Sequence, residues 1–338
     1  MELDFDYNAW TIKTNYSNYE STDNTRVKCR LYFRQRTFAE AVVDCGALSK
    51  DAGTCIKENY HLTEEVVDDE TADNNLRFIG ADPNNYVLFN NELWRIIGVM
   101  NNIDDGNGNK ETRLKIIRDE PIGEYTWDSS DTNTNGGNGV NEWSKSDIQL
   151  LLNDYYFNQK KDQICYQGEN NQTIPCDFSS IGLTTEAKSM LDQALWNLGS
   201  NPLEPNYREI SPFLFYTFER SNNSSKICSP ASACNDTIER TVTWIGKIGL
   251  MYPSDYGYAT SGGTTTDRTT CLNTYCHNWP SFYDCYNNNW LDRKDKNQWT
   301  MTANARGDSA FQAFSTANVG GITYNNADNA FLILPALY

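Results

Sequence analysis

Three runs decide how this chain folds: Asn85–Phe89 (NYVLF), Leu93–Val99 (LWRIIGV) and Leu114–Arg118 (LKIIR). Each is short, apolar and rich in β-branched or aromatic residues, the pattern of a strand and not of a helix. Asn90-Asn91 lies between the first two. A two-residue loop of this kind is a hairpin turn, because asparagine tolerates the left-handed backbone that such turns demand. The stretch IDDGNGNK at 103–110 supplies the next turn.

Outward from this meander the pattern changes. A loop of Gly, Asn, Ser and Thr follows Trp127, and then a helix is expected. Ser144 caps it, Asp147 completes a capping box, and Ile148, Leu151, Leu152 and Tyr155 form its apolar stripe. A second helix is expected from Thr184 through Ala187, Leu191, Ala194 and Leu195 to Gly199. From Thr243 onward short strands and long turns carry Trp244, Trp279, Trp290 and Trp299. Two helices among short strands make the fold class α+β. Upstream, Val27–Phe33 alternates like a strand, and an acidic run at Glu64–Glu70 reads as a solvated linker. The expected organisation is a β-rich segment with its linker over 1–73 and a main domain over 74–338.

The 28 basic and 45 acidic residues among 338 leave a net charge of −17. Such a surface repels phosphate backbones and anionic lipids, so no nucleic-acid partner is expected. No apolar run reaches the ~20 residues of a spanning helix, so no membrane insertion is expected either. Met1 is followed by acidic and polar residues and not by a basic, apolar leader, so a signal and an anchor are expected to lie outside this stretch.

Ten cysteines are present, with only two histidines, His61 and His277, and no CxxC pair. That combination favours disulfides in an oxidising compartment over structural zinc. The expected pairs are Cys45–Cys55, Cys165–Cys176, Cys228–Cys234 and Cys271–Cys285, with Cys29 and Cys276 unassigned. Other motifs point elsewhere. Asp131, Asn133, Asn135, Gly136 and Glu142 match a calcium-loop spacing, although the preceding segment does not read as a helix. Glu204-Pro205-Asn206 matches a lectin sugar-binding tripeptide without its Trp-Asn-Asp partner, and Arg306-Gly307-Asp308 is the integrin tripeptide. There is no G-x-S-x-G, H-E-x-x-H or Walker loop, so no catalytic residues are expected.

Longer runs carry a resemblance: LRFIGADPNNYVLFNNELWRIIGV, RLKIIRDEPIGEYTWDSS, NEWSKSDIQLLLN, WIGKIGLMYPSDYGYAT and the closing QWTMTANARGDSAFQAFSTANVGGITYNNADNAFLILPALY. Over about Leu76 to Tyr338 the chain resembles a family of bacterial surface proteins frequent in gut Firmicutes. Its closing pattern falls on Trp299, Phe311–Ser315, Gly320-Gly321, Ile322–Tyr324 and Phe331–Tyr338. That pattern is similar to the end of the C-type lectin-like fold, shared with formylglycine-generating oxidases and with the variable proteins of diversity-generating retroelements. The resemblance implies a domain whose last strands support a ligand-binding surface. The oxidases carry a reactive Cys pair at the spacing of Cys271 and Cys276, but the Arg-rich stretch and terminal Gly-Phe-Arg of those enzymes are missing here.

The expected function is therefore an extracellular, cell-surface ligand-binding protein of adhesin or receptor type, taking a protein or a glycan. The expected ligand-binding residues are Tyr283, Tyr286, Asn288, Asn304, Arg306, Asp308, Tyr324, Asn325, Asn326 and Asp328, because Tyr and Asn give rigid contacts and adaptable hydrogen bonds. Calcium is the one candidate cofactor. The alternatives are an oxidase using Cys271 and Cys276, or a structural stalk protein of the cell envelope.

Overall fold

The computed structural model describes residues 3–6, 11–14, 66–83, 85–129, 139–168, 171–199, 209–221, 241–304 and 312–338. The chain divides into two compact units, Met1–Arg36 and Thr37–Tyr338. In the first, strands β1 (Leu3–Asp6) and β2 (Thr11–Thr14) form an antiparallel hairpin. The Val27–Phe33 run and the pairs Cys45–Cys55 and Cys228–Cys234 lie outside the described residues.

The second unit is α+β and built of short antiparallel strands. Its central sheet contains β3 (Val66–Asp68), β4 (Leu76–Phe78), β5 (Tyr86–Phe89), β6 (Glu92–Asp104) and β7 (Lys110–Arg118). Asn90 and Asn91 adopt φ of 56° and 61°, the pair of left-handed residues that a tight hairpin between β5 and β6 requires. β6 is buried on both faces from Trp94 to Met100. At its centre Gly98 lies under β4, where a Cβ would come within 2.2 Å of the Leu76 carbonyl oxygen. The acidic run read as a linker instead feeds this sheet: Val66–Asp68 pairs with Leu76–Phe78, and Asp69 is buried against Arg77. A carboxylate with an internal cation no longer needs solvent, and this converts a spacer sequence into an edge strand.

Shorter strands surround the sheet: β8 (Glu124–Thr126), β9 (Gln163–Gly168), β10 (Gln172–Cys176), β11 (Ala194–Asn197), β12 (Thr243–Gly246) and β13 (Ile248–Gly249). The C-terminal part adds a three-stranded sheet of β14 (Trp299–Ala303), β15 (Gln312–Thr316) and β16 (Ile322–Asn326). It closes with β17 (Ala330–Leu332) and β18 (Ala336–Leu337). β18 returns to the central sheet between β7 and β13.

The helices are short: α1 (Asp147–Leu150), α2 (Thr185–Ser189), α3 (Pro212–Glu219), α4 (Pro253–Tyr258), α5 (Arg268–Asn273) and α6 (Tyr283–Asn287). Two of them correct the sequence reading. Ser146, not Ser144, caps α1, and α1 continues as a π turn over Leu151–Tyr156. The wider turn buries Tyr156 fully and leaves Tyr155 half-buried. The second expected helix ends at Ser189, and Ala194–Asn197 pairs with β12. Ala194 and Trp196 are buried while their neighbours are half-buried, an alternation of period two that wins over the helical spacing.

A ladder of indoles fills the core. Trp244, Trp143, Trp127 and Trp299 meet edge-to-face with centroids 5.5–5.8 Å apart, and Phe331 adds a ring 4.7 Å from Trp299. Edge-to-face contact suits the ring quadrupoles and gives these pairs stabilisation beyond burial alone.

Candidate functional site

The segment from Gly262 to Asn288 builds a stiff, exposed face. Its loop 262–266 is drawn down by Asp284, whose Oδ2 accepts the amides of Thr265 at 2.7 Å and Thr266 at 2.8 Å. Asp267 then caps α5 by accepting the Thr270 amide at 2.7 Å. Cys271 of α5 is bonded to Cys285 of α6, the pairing the sequence suggested. The short 3₁₀ turn Cys276–Ser281 joins the two helices, with Trp279 buried beneath it. On this frame Tyr283 is 51% exposed, and its Oη lies 3.4 Å from Thr265 Oγ1. Tyr275, just before the turn, is also exposed. Tyr286 is half-buried and packs over Gly320, where a Cβ would come within 2.4 Å of its ring. Asn288 is half-buried, and its carbonyl accepts the Ser261 amide.

The other expected residues gather at the far end of β16. Asn304 is 1% exposed, and its carbonyl accepts the Asn141 amide Nδ2 at 3.0 Å. Asn325 donates to Ser315 Oγ, and Asn326 accepts from Gln312. Tyr324 is half-buried, and Asp328 is buried. Arg306 and Asp308 lie outside the described residues. Because Asn304 and Asp328 are buried, the expected positions do not all lie on the exposed surface. Tyr283, Tyr286 and Asn288 share one face, and Asn304, Asn325 and Asn326 serve mainly as cross-strand and rim hydrogen-bonding groups.

In that second region Thr241 donates to Glu142, and Asn141 donates to the carbonyls of Asn304 and Gln312. The expected calcium residues Asp131, Asn133 and Asn135 and the 204–206 tripeptide lie outside the described residues. Glu142, the remaining member, is already used by its own turn, accepting Ser144 Oγ and the Lys145 amide. No group of three or more His, Cys, Asp or Glu side chains that could hold a metal occurs among the described residues.

The fold also holds a buried ionic centre the sequence did not reveal. Arg77 bridges Asp69 at 2.8 Å and Asp255 at 2.6 Å, and Lys115 reaches Asp255 at 2.7 Å. Tyr252, Tyr338 and Trp196 surround the Lys115 ammonium at 3.9–5.2 Å. Burial alone would raise the Asp255 carboxyl, but Lys115 and Arg77 outweigh it and hold it at about 2. Glu219 accepts the amide and hydroxyl of Ser254, and burial pushes it up to about 7. Charges satisfied this completely and closed off from solvent hold the fold together and offer no atom to a substrate.

The cysteine chemistry is similarly closed. Cys165–Cys176 forms as expected and closes the β9–β10 hairpin. Cys276 is a buried free thiol whose ionisation burial pushes well up. A reactive thiol needs the opposite, exposure and a lowered pKa. Compared with known protein families, with curated proteins and with solved structures, the chain matches none.

Proposed function

We propose that this chain is an extracellular or cell-surface ligand-binding protein of adhesin or receptor type, built on a C-type lectin-like scaffold. The observation that carries the reading is the face around Tyr283: an exposed tyrosine on a frame fixed by a disulfide, by two amides on Asp284 and by a helix cap. A rigid aromatic loses little entropy on binding, so a frame of this kind favours recognition. The disulfides Cys165–Cys176 and Cys271–Cys285 support an oxidising compartment. The return of β18 to the central sheet beside the β14–β16 sheet supports a scaffold whose last strands brace a binding surface.

The oxidase alternative would need Cys271 and Cys276 as a working pair. Here Cys271 is bonded to Cys285 and Cys276 is buried, so that pair is not assembled. The test of the binding reading uses the fluorescently labelled full chain on intact epithelial and bacterial cells. Tyr283→Ala is expected to weaken cell binding at least about tenfold, or 1.4 kcal/mol, with an unchanged melting temperature. An absence of cell binding, or binding indifferent to Tyr283→Ala, would refute the site.

A further inference from the structure

We propose that a cleft between the β6–β7 turn and the β11–β12 pair binds a small zwitterion, a molecule carrying both a free ammonium and a free carboxylate. The cleft shares no residue with the Tyr283 face and does not rest on the reading of that face. Three contacts between elements build it. Gly106, in the turn, lies so close to β12 that a Cβ there would come within 3.0 Å of the Ile245 side chain. Arg113 of β7 donates from Nη1 to the Gln193 carbonyl at 2.5 Å. Lys247 donates to the Leu191 carbonyl at 2.8 Å. Because Ala194 pairs with Gly246, Gln193 and Lys247 are the next residues outward on the two strands. The space left between these ties is about 410 Å³, the size of a site for one small ligand.

Charge decides what fits. Arg113 is the most enclosed charged group of the lining, its side chain 10% exposed, with Glu111 on its Nε at 2.9 Å. Its Nη2 donates to nothing among the described residues. A guanidinium held this firmly, with a nitrogen unused, is made for a carboxylate from outside. Lys247 is half-buried and still has two N–H donors after the Leu191 carbonyl. The same lining carries the exposed carboxylates of Glu111 and Asp192. Asp192 accepts no hydrogen bond among the described residues, and Glu111 keeps Oε1 after binding Arg113 through Oε2. Asp105 adds a third negative charge, its oxygens already accepting amides of Asn107 and Asn109. A simple anion gains the two cations here but meets three carboxylates on a protein of net charge −17. A simple cation gains the carboxylates but enters beside Arg113 and Lys247. A zwitterion sets its carboxylate on Arg113 and Lys247 and its ammonium on Asp192 and Glu111, and brings no net charge. Free amino acids and short peptides share this chemistry and differ in the span between their charges.

The experiment titrates the full chain with L-alanine, L-glutamine, L-alanyl-L-alanine and L-alanyl-L-alanyl-L-alanine, followed by amide chemical-shift NMR. The N-acetyl and the C-terminal amide form of each probe lack one charge. At least one uncapped probe is expected to bind, with shifts centred on 105–113, 191–193 and 247, and either cap should weaken it about tenfold or more. Binding by the single residues marks a free amino acid as the ligand, and binding by the di- and tripeptide alone marks a peptide. Asp192→Asn should weaken the uncapped probe severalfold, leave its N-acetyl form unaffected and keep the wild-type melting temperature. Lys247→Met should weaken the uncapped and N-acetyl forms and leave the amide form unaffected. The proposal is overturned if no uncapped probe binds, if a capped form binds as tightly as its parent, or if Asp192→Asn and Lys247→Met both leave affinity intact. Shifts centred on 262–288 would place the zwitterion elsewhere and overturn the cleft as well.

Discussion

At the scale of single residues, the buried carboxylates set how stability responds to pH, and they pull in opposite directions. Glu219 loses its hydration on burial, so its folded pKa of about 7 exceeds the ordinary value of 4.5. The folded protein therefore holds that proton more tightly than the unfolded chain. This contribution is complete below pH 4.5 and is lost as pH rises through 7. Asp292, raised to about 6 chiefly by burial, adds in the same sense. Asp255 at about 2 does the reverse: its stabilisation is present above 3.8 and disappears as pH falls through 2. The melting temperature is thus expected to decline between pH 5 and 7.5, and Glu219→Gln should flatten that decline. A variant that keeps the full slope would show that another group carries it. Lys115 offers a separate check. Its removal leaves Asp255 buried with Arg77 alone, so Lys115→Ala should lower unfolding free energy by about 3–5 kcal/mol in urea titrations. A loss below about 1 kcal/mol would mean water replaces the ammonium.

At the scale of elements, the sequence is legible where local chemistry decides and opaque where distant contacts do. The β5–β6 hairpin was readable because Asn90-Asn91 states its own turn, and both residues adopt the left-handed backbone. Glycine at the second position removes the Cβ penalty, so Asn91→Gly is expected to raise stability by a few tenths of a kcal/mol. Asn91→Val puts a β-branched side chain at φ of 61° and should cost about 1–2 kcal/mol. Equal melting temperatures for the two variants would contradict this turn geometry. Ala194–Asn197 was unreadable for the opposite reason. Its apolar residues fit a helical stripe, and only pairing with Thr243–Gly246, some fifty residues on, makes it a strand. The Val66–Asp68 edge strand escaped notice because charge normally means solvent, and its internal cation, Arg77, is visible only once β4 is in place.

At the scale of the whole molecule, the disulfide framework links what could be read to what could not. Cys165–Cys176 was within reach of the sequence because the two are 11 residues apart and flank a polar loop, whereas spacing alone did not assign Cys271–Cys285, which has Cys276 between its partners. Tyr283 could be singled out by type, but its frame could not. The Asp284 hold on the Thr265–Thr266 amides depends on folding the 262–266 loop against α6. The Cys271–Cys285 bond spans a sequence separation of 14 and has a separable consequence for binding and for stability. A closed loop of this length restricts the unfolded chain and contributes about 3 kcal/mol. Cys271→Ser/Cys285→Ser should therefore lower the melting temperature, while the Tyr283 face keeps its composition but loses its brace. If preorganisation is what makes this face bind, the double variant, assayed well below its melting point, should bind cells more weakly than wild type by a larger factor than it loses folded fraction. Hydrogen exchange should rise first at 262–288 and leave the β6–β7 amides protected. Were binding to follow folded fraction alone, the disulfide would belong to stability and the recognition surface would have to be sought at the Asn141–Thr241–Asn304 rim.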